Sequence, residues 1–133
     1  MIPYIATYMG ALVVYSVLDL SWASLLMKDF YQSRIGPLFH FSVNIPALVL
    51  FYLLFVLGLL YFVVYPAQEK GSFPMLLISA TLYGLVTYGT YDLVSMGTVA
   101  FWPLSLTMVD ILWGVSVSVL VSSVAYFIAT YFA

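Results

Sequence analysis

Three of the five acidic residues in this 133-residue chain, Asp19, Asp92 and Asp110, stand inside long apolar runs and not in the polar segments between them. On insertion scales an Asp at the centre of a membrane helix costs about 2.5 to 3.5 kcal/mol, so three such residues argue for a use beyond packing. Clustered carboxylates also repel one another, and a cluster must be neutralised by a proton or a cation. The trio is therefore a candidate proton- or cation-binding site. An oxygen-rich ligand set of this kind favours hard cations over copper or zinc, and the residues assign no particular metal and no cofactor. The competing reading is structural: each Asp bonds Tyr, Ser, Trp or Asn across helices, an interaction that typically contributes under about 2 kcal/mol.

The spacing of these residues repeats. LVVYSVLDL at 12–20 aligns with LVTYGTYDL at 85–93 with five identities in nine positions, pairing Tyr15 with Tyr88 and Asp19 with Asp92. PLFHFSVNI at 37–45 aligns in the same order with PLSLTMVDI at 103–111, and sets Asn44 opposite Asp110. This is the pattern of a duplicated two-helix hairpin, the halves covering about residues 1–66 and 74–133, related by an axis along the membrane normal. At about 1.5 Å per helical residue, Asp19, Asn44, Asp92 and Asp110 fall in one layer between the bilayer centre and the side carrying the first and third connections. Helical spacing offers companions on the same faces: Tyr15 and Trp22 with Asp19, Tyr88 and Ser95 with Asp92, Thr107 and Trp113 with Asp110. His40 and Arg34 are expected at the mouth of that half, where an Arg suits an anionic group or a carboxylate. Tyr15, Trp22 and Trp113 are candidate walls for an organic cation held by cation–π contact. Gly114, Ser118 and Ser122 form a small-residue stripe suited to close helix contact.

The elements that must position these side chains are transmembrane helices. With 65% hydrophobic and 6% charged residues, the chain consists mostly of four apolar stretches, each long enough to cross a bilayer in the about 20 residues that a helix needs. The expected fold is all-α, a polytopic integral membrane four-helix bundle in a single domain, with helices over residues 2–27, 41–65, 74–99 and 104–132. Pro66 and the polar AQEKGS stretch mark the expected end of the second helix, and Pro74 suits the first turn of the third. The N-terminal segment lacks the positive region of a secretory signal and is expected to be a retained first helix. Lys28 and Arg34 in the first connection, against Lys70 and the terminal amine on the other side, point by the positive-inside rule to external termini. A bacterial inner membrane is the expected location.

Composition excludes much chemistry. The chain has no Cys and one His, which removes disulfides, thiolate metal sites, catalytic thiols and the HExxH zinc motif. No GxxxxGK[ST] or GxGxxG phosphate cradle is present, and there is no basic patch for nucleic acid.

LDLSW, the KDFYQSRIG loop, FYLLFVLGLLYFVV before Pro66, YGTYDL, WPL and VDILWG together resemble the small four-pass bacterial predicted membrane protein family catalogued as a domain of unknown function. The resemblance covers nearly the whole chain and implies a four-helix integral membrane protein, with no reaction, cofactor or partner attached. The residues themselves favour an intramembrane binding or transport protein in which Asp19, Asp92 and Asp110, assisted by Asn44, hold protons or a small cation. Four short helices seldom enclose a full pathway, so a homo-oligomer or larger membrane complex within the lipid bilayer is expected. Two other readings stay open: an enzyme acting on a lipid by carboxylate acid–base chemistry, and an accessory structural subunit of a membrane complex. The GxGD pattern of intramembrane aspartyl proteases is missing.

Overall fold

The computed structural model describes residues 2–22, 29–30, 33, 45–99 and 102–132. Four helices carry nearly all of them: α1 (Ile2–Ser21), α2 (Ile45–Lys70), α3 (Phe73–Thr98) and α4 (Leu104–Phe132). Each is long and apolar enough to cross a membrane, and no strand occurs among the described residues. The protein is an all-α, multi-pass integral membrane protein. Helices are the natural outcome in lipid, where every backbone N–H and C=O must be satisfied within its own segment.

Local chemistry sets the ends. Gly71 closes α2 in the left-handed conformation at φ 61°, which places its N–H 3.2 Å from the carbonyl of Gln68. The next N–H, of Ser72, donates to the carbonyl of Ala67 at 3.0 Å. Ser72 then starts α3, its Oγ accepting the N–H of Met75 at 3.2 Å, and Pro74 takes a first-turn position where its missing N–H costs nothing. A two-residue turn therefore folds α2 back against α3.

One boundary differs from the sequence expectation. Pro66 does not end α2, which continues to Lys70. A proline inside an α-helix lacks a donor, and its ring strikes the carbonyl four residues earlier. Here the preceding segment, Leu60–Val64, is a π-helix in which the N–H of Tyr65 reaches back five residues to the carbonyl of Leu60. The wider turn gives the ring room, so the helix passes through the proline. For the first helix, α1 runs to Ser21, and residues 23–27 of the expected span lie outside the described residues, as do 41–44 of the second.

The tightest packing joins α3 to α4. A Cβ added to Gly84 would lie 2.6 Å from the carbonyl oxygen of Gly114 and 2.7 Å from the Cα of Val115. One added to Gly114 would lie 2.3 Å from the ring of Tyr88. Along the same side of α4, Ser118, Ser122, Ala125 and Ala129 are all buried. Small side chains let two backbones approach, which is how helices gain contact where lipid removes the hydrophobic drive to associate. α4 also packs on α1. The second half of α2, from Leu60 onward, packs on both α3 and α4, while its first half, Ile45–Leu59, makes its main contact with α1. The bundle is consequently closed at the α2–α3 turn. A cavity forms toward the end holding the α3–α4 turn.

Candidate functional site

The cavity has a volume of about 530 Å³ and takes side chains from every helix. α1 contributes Asp19, with Trp22 just past its end, α2 contributes Phe51 and Tyr52, α3 contributes Tyr88, Tyr91 and Asp92, and α4 contributes Asp110 and Trp113. Trp102, in the α3–α4 turn, completes an aromatic wall. The three intramembrane aspartates thus line one space. Among the described residues no Lys, Arg or His lines it.

Asp19 is held by donors from three other helices. The Tyr52 hydroxyl on α2 donates to Oδ2 at 2.5 Å, and Trp113 Nε1–H on α4 donates to Oδ1 at 3.0 Å. The Tyr88 hydroxyl on α3 lies 3.5 Å from Oδ1 and 2.7 Å from the Tyr15 hydroxyl. A carboxylate that accepts several hydrogen bonds keeps a charge at a smaller desolvation cost. Asp19 is therefore a saturated group that ties the four helices together.

Asp92 is the opposite case. It is 1% exposed, lines the cavity, and neither of its carboxyl oxygens has a hydrogen-bond partner among the described residues. Asp110 faces it, near enough for a hydrogen bond between the two carboxyls if one carries a proton. Two ionised carboxylates offer acceptors only, so without a proton or an external donor nothing satisfies Asp92.

The companions differ from the spacing-based expectation. Tyr15 shares a face with Asp19 but bonds Tyr88 instead; it is fully buried, stacks on Phe55 at 4.5 Å, and stays behind the cavity wall. Trp22 stacks on Trp113, with ring centroids 4.4 Å apart and planes 5° from parallel, and both line the cavity. Thr107 does not serve Asp110: its hydroxyl accepts from Trp102 Nε1 at 3.1 Å and lies 3.8 Å from Met96 Sδ. Asn44, His40 and Arg34 lie outside the described residues. Tyr52 is a site residue that helical spacing missed. Its signal was there, because it is the one hydroxyl in the otherwise apolar IPALVLFYLLFVLGLL run at 45–60.

The donor set tests what the site can hold. Among the described residues no group of three or more His, Cys, Asp or Glu side chains is arranged to hold a metal ion. Calcium asks for six to eight oxygens and magnesium for a near-ideal octahedron, and this site brings two facing carboxyls and one already saturated.

No curated protein and no solved structure matches the chain. The family model described as a predicted membrane protein (DUF2177) matches residues 4–127, almost the full length over which the helices and cavity are built, and the chain belongs to that family, whose function is unknown.

Proposed function

We propose that this protein is an intramembrane binding protein whose acidic cavity takes up protons or a cation, as the binding step of a transport or sensing cycle. The observation that carries the reading is Asp92: a buried carboxyl with no donor among the described residues, next to Asp110 in the lining of a cavity that all four helices build. An ionisable group kept in that condition within a membrane is a functional site by default. Asp19, which accepts from Tyr52, Trp113 and Tyr88, lines the same space.

The experiment is thermal unfolding of the protein in lipid nanodiscs across pH and a panel of cations, for wild type and the Asp19→Asn, Asp92→Asn and Asp110→Asn variants. A cation present at 100 times its dissociation constant stabilises by about 2.7 kcal/mol, enough to move a melting transition clearly. The expected result is a shift in wild type that depends on the cation or on pH and disappears in Asp92→Asn and Asp110→Asn. A wild-type transition indifferent to pH and to every cation would overturn the reading.

A further inference from the structure

The cavity is far larger than a bare ion needs: its volume of about 530 Å³ falls in the range of small-molecule sites, roughly 300 to 1,000 Å³. Its wall is mainly aromatic, with Trp22, Trp102, Trp113, Phe51 and Tyr91 presenting apolar faces suited to a ligand body and to cation–π contact. Its polar demand is specific. Among the described residues neither Asp92 oxygen has a donor, Asp110 lines the same cavity within reach of it, and no group of three His, Cys, Asp or Glu side chains is arranged for a metal. The missing complement is a positive group with several N–H donors. A primary ammonium has three; a quaternary ammonium has none, and an alcohol has one and no charge.

We infer that the cavity binds a primary-ammonium compound with an apolar or aromatic body, its NH₃⁺ group placed between Asp92 and Asp110 and its body against the tryptophan and tyrosine wall. This rests on the binding reading above and names its ligand class. Asp92 and Asp110 are the ligand-binding pair, while Asp19 is a positioning residue that holds Tyr52, Tyr88 and Trp113 in the wall.

The test is calorimetric titration of nanodisc-embedded protein with 2-phenylethylamine, using protein-free nanodiscs to subtract lipid partitioning. 2-Phenylethanol, the N,N,N-trimethyl derivative of the amine, and sodium, potassium and calcium chlorides serve as comparison probes. The expected result is saturable amine binding that weakens at least tenfold in Asp92→Asn and in Asp110→Asn. It stays unchanged in Glu69→Gln, an exposed position at the far end of α2, and the trimethyl compound binds at least tenfold more weakly than the amine. If Asp92→Asn does not reach the folded bundle, Asp110→Asn carries the same expectation. Amine binding that is equal in wild type and in both variants, or matched by the alcohol, would overturn the inference, because the cavity would then be only an apolar cleft. Asp92-dependent shifts with protons or inorganic cations but no amine binding would overturn the ligand class and leave the proposed function standing. A protein that responds to none of the probes and to no change of pH would sink both.

Discussion

Gly84→Ala provides the sharpest test of how the bundle is held together. The added Cβ would sit 2.6 Å from the Gly114 carbonyl oxygen and 2.7 Å from the Val115 Cα, and both are backbone atoms with no rotamer to adopt. Ordinary contact needs about 3.5 Å, so α3 and α4 must part locally by roughly 1 Å. Overpacking of this kind costs about 1 to 3 kcal/mol. Replacing Gly by Ala in a helix interior also gains about 1 kcal/mol of intrinsic propensity, which would obscure the cost if the variant were measured alone. Gly89→Ala removes that ambiguity, since nothing lies within 4 Å of a Cβ at Gly89 on the same helix. The propensity gain is common to both variants, and their difference isolates the overpacking. Unfolding in mixed micelles with increasing dodecyl sulfate, followed by circular dichroism, should place Gly84→Ala below Gly89→Ala by about 1 to 3 kcal/mol, with Gly89→Ala at or above wild type. Two variants of equal stability would refute the claim that the Gly84–Gly114 approach governs the α3–α4 contact.

Three further outcomes follow from the cavity. Tyr52→Phe and Trp113→Phe each remove one donor from Asp19 and should each lower stability by about 0.5 to 2 kcal/mol. Because they serve the same carboxylate, the double variant should depart from additivity in a double-mutant cycle, and strict additivity would count against a shared network. Asp19→Asn places an amide among three donors and should lower the melting temperature, whereas Asp92→Asn replaces a carboxyl that has no donor among the described residues and should leave the ligand-free melting temperature nearly unchanged; equal losses in both would contradict the division between them. Gly114→Ala should drive the Tyr88 ring off its position, because the new Cβ would lie 2.3 Å from it, and so weaken ligand binding as well as stability. Calorimetry and unfolding on the same sample check both effects.

Much of this architecture is legible in the residues. Hydropathy alone finds four spans, and α3 and α4 begin and end within a residue of where Pro74 and Trp102-Pro103 suggest. The second span is misread at Pro66, because a proline signals a stop while the π turn that accommodates it leaves no mark in so uniformly apolar a run. Counting residues to a common depth brings Asp19, Asp92 and Asp110 to one layer, and they do line one cavity. Which group bonds which is not legible. Spacing along one helix tells which side chains share a face, but the donors to Asp19 come from α2, α3 and α4, and that depends on how each helix is rotated about its axis. The aligned segments around Tyr15–Asp19 and Tyr88–Asp92 also give no hint that one acid ends saturated and the other bare.

The π segment at Leu60–Val64 has a consequence for helix phase. A π turn holds one residue more than an α turn, and each residue of an α-helix advances the side chains by about 100°. The surplus residue therefore fixes the azimuth of Ile45–Leu59 relative to Tyr65–Lys70. Removing any single residue between 60 and 64 would restore a plain α-helix and turn one half by about 100° and 1.5 Å against the other. With the second half kept in its place on α3 and α4, Tyr52 would swing out of reach of Asp19 and carry Phe51 with it. The length of this short stretch, more than the identity of its side chains, is what keeps the cavity face of α2 pointing inward.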